Sequence, residues 1–112
     1  MRTPERGDLV WIDFDPQSGR EQAGRRPALV LTPADYNRLV GLAVFCPVTT
    51  QIKGYPFETA LPRGLPVQGV VLADHVRSLD WRARRADFIC VAPADCVEEA
   101  AAKAQALIRG ED

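Results

Sequence analysis

Gly7-Asp8-Leu9-Val10-Trp11-Ile12-Asp13-Phe14 reads as a turn feeding a short, mostly apolar strand. Runs of the same kind recur along the chain. Pro27-Ala28-Leu29-Val30-Leu31-Thr32 is a second strand, Leu42 to Val48 a third and Phe57 to Leu61 a fourth. Val67 to Leu72 and Asp74 to Leu79 continue the sheet, and Phe88-Ile89-Cys90-Val91 closes it. Between these runs, 8 glycines and 9 prolines punctuate the chain, which favours many short strands over a helical bundle. Residues 15–25 are polar and too irregular for a strand, so they form a loop long enough to be functional. Residues 51–56 form a second exposed loop, and Pro33 to Arg38 form one helical turn.

The period changes near the end. Val97, Ala100, Ala101, Ala104, Leu107 and Ile108 recur at spacings of three and four, which predicts an amphipathic helix. Pro93 suits its first turn and Gly110 its end. The expected architecture is mainly β, a small curled sheet with a C-terminal helix. A sheet of this size tends to close on itself and remove its edges.

At 112 residues the chain is expected to be a single domain, 1–112, and 46% hydrophobic residues supply one modest core. No apolar run reaches the length of a membrane span. The polar start, Arg2 to Arg6, does not resemble a signal peptide, so a cytoplasmic location is expected. Net charge is −1, but its distribution is uneven. Arg77, Arg82, Arg84 and Arg85 stand against Asp80, whereas Asp95, Glu98, Glu99, Glu111 and Asp112 stand against Lys103 and Arg109. Cys46, Cys90 and Cys96 lack metal-ligand spacing, and Cys46 and Cys90 sit in apolar runs as small hydrophobes. No cofactor motif or disulfide framework is present in the sequence.

Two polar side chains stand at the mouths of apolar strands, Arg26 before Pro27 and Thr49 after Val48. Pro27 biases Arg26 toward extended backbone, and an arginine so fixed can hold a phosphate through two parallel hydrogen bonds. The Thr49 hydroxyl can donate to a phosphoryl oxygen, and Thr50 competes for that role. By residue type alone, each also reads as an ordinary strand-end residue. Lys53 at the loop tip suits a phosphate contact. Glu21 is either a base or an ion-pair partner of its arginine neighbours Arg20 and Arg25. Trp11, Phe14, Phe57 and Trp81 are able to stack bases or fill the core. His75 is the single histidine, so cleavage of RNA by a histidine pair is excluded.

Four blocks in order resemble the MazF/PemK family of bacterial toxins, sequence-specific endoribonucleases. They are Gly7 to Pro16, then Glu21-Gln22-Ala23-Gly24 with Arg26-Pro27, then Thr49-Thr50-Gln51 with Lys53 to Glu58, and finally Gly69 to Ser78 with Trp81-Arg82-Ala83. The resemblance runs from about Gly7 into the C-terminal helix. It implies an SH3-like small barrel forming a homodimer. It also implies metal-independent cleavage of single-stranded RNA, usually mRNA, to 2′,3′-cyclic phosphate and 5′-hydroxyl ends, and inhibition by a MazE-type antitoxin through a disordered acidic tail. The family's catalytic arginine falls on Arg26 and its catalytic threonine on Thr49, with Glu21 the candidate base. The RNA-binding set implied with them comprises Phe14, Arg20, Gln22, Arg25 and Thr50 together with Lys53, His75, Arg77 and Ser78. His75 replaces a frequent glutamine and Arg25 a common histidine, which bears on the sequence cleaved. The 87–90 region and the acidic helix also depart from the pattern, which bears on partner choice.

Two rival readings follow from the same small barrel. CcdB-type toxins bind DNA gyrase, but they rely on a Trp-Gly-Ile-type ending, whereas this chain ends Arg109-Gly110-Glu111-Asp112. The other rival is an SH3-like module binding peptides through exposed aromatics.

Overall fold

The computed structural model describes residues 2–14 and 24–110. Seven strands form one sheet: β1 Asp8–Phe14, β2 Gly24–Val30, β3 Leu42–Thr49, β4 Glu58–Ala60, β5 Val70–Leu72, β6 Arg77–Asp80 and β7 Asp87–Val91. Helix α1 spans Ala34–Val40, and helix α2 spans Ala94–Arg109. The ladder runs β4-β5-β3-β2-β1-β7, and β6 also pairs β3. All pairs are antiparallel.

The expected strands are present, with changes of boundary: the strand expected from Val67 begins at Val70, and the one expected to reach Thr32 ends at Val30. β2 starts at Gly24, so Arg25 belongs to a strand and not to the expected loop, and Arg26, expected to be extended before Pro27, is within the strand as well. The cause is pairing with β1, which continues through Ile12↔Arg26 and Asp13↔Arg25 to Phe14↔Gly24. The expected strand from Asp74 begins instead at Arg77. Residues Ala73–His75 make a 3-10 turn, which opens where the Ala73 N–H donates to the Phe57 carbonyl at 3.0 Å in continuation of the β4–β5 ladder. The helical turn after Pro33 continues to Val40 and stops at Gly41, whose φ of 81° suits glycine. Pro93 is the N-cap of α2, just outside its first turn, and Gly110 ends the helix in the left-handed conformation as expected.

β3 organises the sheet. One edge pairs β2, while the other pairs β6 along Leu42–Phe45 and β5 at Val48 and Thr49. Side chains alternating across β1–β3 feed two cores. Leu9, Leu29, Cys46 and Val48 face one core, which Val97 and Ala100 of α2 cover. Val10, Ile12, Phe14, Ala28, Val30 and Phe45 face the other, with Trp81. The helix stripe is only partly used: Val97, Ala100 and Ala104 are buried, whereas Leu107 and Ile108 face solvent. The Trp81 indole N–H donates to the Asn37 carbonyl at 2.9 Å, tying the second core to α1.

The sheet curls without closing. Arg77 and Phe14 belong to β6 and β1, with β3 and β2 between them, yet the Arg77 guanidinium lies 5.7 Å from the Phe14 ring centre. The expected removal of edges is not met: among the described residues no ladder joins β4 to β7. These edges are blunted instead. β4 has three residues, and β7 carries Asp87 and a register break opposite Leu9/Val10. No described helix is long and apolar enough to cross a membrane.

Candidate active site

Arg26 and Thr49 lie far apart in sequence, and each stands two residues beyond the last pair of the β2–β3 ladder, Ala28↔Pro47. The observed pairs run Val30↔Phe45, Leu29↔Cys46 and Ala28↔Pro47. Only a continuation of that register by two residues would set Arg26 opposite Thr49, whose observed partner is Val70 of β5. Side chains directly opposite share a face, and for Arg26, paired with Ile12, it is the face of Ala28, Ile12 and Phe14. Phe14 pairs Gly24 and so lies diagonal to Arg26. With the Arg77 guanidinium over its ring, Phe14 completes a group of two cations and one ring.

Thr49 ends β3, and its Oγ accepts the Gln51 N–H at 3.1 Å. That local bond occupies an acceptor site and leaves the hydroxyl proton for donation. Thr49 is held from behind by Gly69, which has φ +116°. A Cβ on Gly69 would stand 2.2 Å from the Thr49 carbonyl oxygen and 3.2 Å from the Thr50 Cα. Arg26 is half-buried, and its guanidinium makes no hydrogen bond or ion pair among the described residues.

The loop after Thr49 is held at three points. The Glu58 carboxylate accepts the Lys53 and Gly54 N–H groups at 2.8 Å each. The Tyr55 hydroxyl donates to Asp74 Oδ1 at 2.8 Å. The Phe57 carbonyl accepts from Ala73. Burial, and then the Asp74 carboxylate, push the Tyr55 phenol up to about 12. These contacts set the 3-10 turn, and with it exposed His75, beside the loop carrying Thr50 and Lys53. His75 Nε2 is 3.9 Å from Asp74 Oδ1.

Other expected residues lie elsewhere. Ser78 pairs Val44 and alternates with Arg77, so it faces away from the Arg77 side of β6. Arg25 alternates with Arg26 and takes the opposite face of β2. Its Nη1 lies 3.1 Å from Asp13 Oδ1 and its Nη2 donates to the Arg85 carbonyl at 2.6 Å. The hydrogen bond from Arg85 holds the Asp13 carboxyl below its ordinary value against the opposing effect of burial, and the Arg25 hydrogen bond adds to the lowering. Arg20, Glu21 and Gln22 lie outside the described residues. Of the aromatics, Trp81 and Phe14 are buried, Phe57 is half-buried and Trp11 is exposed. Burial pushes the Cys46 thiol up to about 12, in keeping with a structural cysteine. Among the described residues no group of three His, Cys, Asp or Glu stands together as a metal site.

Sequence reasoning passed over Gly69, Glu58 and Asp74 as individual supports of the site. Only Gly69 left a trace, as a glycine opening an apolar run.

Residues 5–108 match a family described as PemK-like, MazF-like toxin of type II toxin-antitoxin system. The chain is 57% identical over 83 residues to the endoribonuclease toxin MazF of Escherichia coli (strain K12), which covers 74% of each chain. It superposes on the crystal structure of MazF from Deinococcus radiodurans with a TM-score of 0.91 and 57% identity, over 97% of this chain and 99% of that one. A MazE-MazF crystal structure from the same organism matches with a TM-score of 0.89 and 57% identity, over 97% of this chain and 98% of that chain.

Proposed function

Because the chain belongs to the PemK-like, MazF-like toxins of type II toxin–antitoxin systems, we propose that it is a sequence-specific endoribonuclease acting on single-stranded mRNA. It works as a homodimer without a metal, and a MazE-type antitoxin silences it. Support for the nuclease reading comes from the names of its relatives, and support for the antitoxin comes from the MazE-MazF structure it matches. The observation that supports the site assignment is that Arg26, paired with Ile12, shares the face of Phe14, whose ring centre lies 5.7 Å from the Arg77 guanidinium; the β2–β3 register, continued past Ala28↔Pro47, runs toward Thr49.

In this reading the RNA 2′-oxygen attacks the adjacent phosphorus and the bond to the 5′-oxygen breaks. The products are a 2′,3′-cyclic phosphate and a 5′-hydroxyl. Arg26 balances the negative charge that builds on the phosphorane and assists proton delivery to the departing 5′-oxygen. A guanidinium is well suited to the first task and a weak acid for the second. Thr49 donates to a non-bridging oxygen. Glu21 or water takes the 2′ proton. Phe14 and Arg77 receive a nucleotide beside the reacting phosphate, while Thr50, Lys53 and His75 follow the strand along the neighbouring loop. Arg20 and Gln22, from the segment before β2, complete the RNA-facing set, whereas Arg25 and Ser78 take the opposite faces of their strands and fall outside it.

Digestion of a defined single-stranded RNA with 5′-end mapping tests this reading. It predicts 5′-hydroxyl ends at one short sequence, undiminished by EDTA. Arg26→Ala and Thr49→Ala should each cut the rate about a hundredfold, since removal of one preorganised donor has that effect. Intact RNA with trapped gyrase–DNA complexes would point to the gyrase-binding alternative. A folded Arg26→Ala variant with the wild-type rate would falsify the catalytic assignment.

A further inference from the structure

Arg85 is the one described non-glycine residue with a positive φ, 55°. Such a conformation is uncommon for a residue with a side chain and persists where its surroundings hold it. Arg85 lies in the turn between β6 and β7. Asp80 Oδ1 caps this turn by accepting the Arg82 and Ala83 N–H groups at 3.1 and 2.9 Å. From there the Arg85 guanidinium reaches Asp13, with Nε 2.7 Å from Oδ2 and Nη2 3.3 Å from Oδ1. The Arg85 carbonyl accepts Arg25 Nη2 at 2.6 Å, and the neighbouring Arg84 carbonyl accepts the Asp13 N–H at 2.9 Å. Arg25 Nη1 then returns to Asp13 Oδ1 at 3.1 Å.

Asp13 and Arg25 are the penultimate cross-strand pair of β1 and β2, one step from Phe14↔Gly24. The ring of contacts therefore ties three segments together: the end of β1, the start of β2 and the β6–β7 turn. Arg26 is the next residue along β2. Fixing the backbone at Arg25 fixes the point from which the Arg26 side chain leaves the sheet. Asp13 and Arg25 alternate with Ile12 and Arg26, so their side chains take the opposite face of the strands and their influence on Arg26 passes through the backbone.

We infer that Arg85 is a positioning residue. Through Asp13 and Arg25 it holds the mouth of the β1–β2 pair so that Arg26 stands at the register needed for phosphate. The inference rests on the nuclease reading of Arg26. The groups involved are partly exposed, so the ring adds little to global stability. Its effect lies in placement, where small displacements of a catalytic group lower the rate steeply.

Arg85→Gly is the informative variant, because glycine adopts the positive φ freely and the turn is retained. Expected results are an unchanged melting temperature, an unchanged KM and a kcat lower by roughly tenfold. Asp13→Asn should lower kcat similarly, and the double variant should lose no more than either single one. Arg85→Lys should fail to restore the rate, since an ammonium cannot span both carboxylate oxygens as a guanidinium does. Amide hydrogen exchange at Asp13, Arg25 and Arg26 should quicken in both single variants. A wild-type kcat in Arg85→Gly overturns the inference, as does a raised KM at constant kcat, which would mark a direct RNA contact. If the wild-type protein leaves RNA intact, the nuclease reading fails on its own. The exchange measurement then decides the clamp: unchanged protection at those three amides overturns it.

Discussion

Gly69 shows how tightly one residue can constrain a site it does not belong to. Its φ of +116° already disfavours any side chain, and a Cβ there would collide with the Thr49 carbonyl oxygen at 2.2 Å. Neither obstacle is a flexible side-chain tip, so the strain has to move backbone. Gly69→Ala should destabilise the protein by about 2–5 kcal/mol, from unfavourable backbone geometry and overpacking together. It should also shift Thr49 and lower any RNA cleavage by about tenfold or more. Urea denaturation and a cleavage assay on the folded fraction check both halves. An alanine variant of full stability would show that Gly69 and Thr49 can separate freely. At the same scale, the buried Cys46 thiol, pushed up to about 12, should resist thiol reagents at pH 8 until the chain is unfolded.

Elements whose signal is local were legible in the sequence, and those set by partners were not. Leu9 to Phe14 announces β1 through its apolar run, and the spacing of Val97, Ala100 and Ala104 announces α2. Arg25 read as loop because a charged residue carries no strand signal, and only pairing with β1 makes it strand, whereas the extended backbone of Arg26 was signalled by Pro27. The run from Asp74 to Val76 read as part of the neighbouring strand, but the chain turns at Ala73–His75, where the Tyr55 hydroxyl meets Asp74. Arg26 and Thr49 could be singled out as residues, but the β2–β3 register that aligns their strands is a long-range property. The support beneath the 50–57 loop is likewise non-local. Removing the Glu58 carboxylate, which accepts two N–H groups, should cost about 1–3 kcal/mol. The Tyr55–Asp74 contact adds a pH signature. The folded state holds the phenolic proton more tightly than the unfolded chain, whose phenol has its ordinary value of 10.0. This contribution is therefore complete below pH 10 and declines as pH rises toward about 12. Tyr55→Phe should flatten that part of the alkaline stability loss, read as urea midpoints across the range.

At the scale of the whole molecule, β1, β2 and β3 separate two cores and belong to both. Leu29 faces the core under α2, and Phe45, beside it in the neighbouring strand, faces the core around Trp81. Neither core can dissolve without releasing strands the other needs. We therefore expect one cooperative transition in which helix loss and Trp81 exposure coincide. Trp81 is 1% exposed and Trp11 is 41% exposed, so a Trp11→Phe background isolates the buried reporter. In that background, far-UV circular dichroism follows α2 and tryptophan fluorescence follows the second core. Leu29→Ala should lower stability by about 2–5 kcal/mol and Phe45→Ala by about 3–5 kcal/mol. Each substitution lies in one core, yet each should move both signals to the same new midpoint. If Leu29→Ala melts the helix while Trp81 fluorescence keeps its original midpoint, the two cores are separate folding units, and the shared-strand account is wrong.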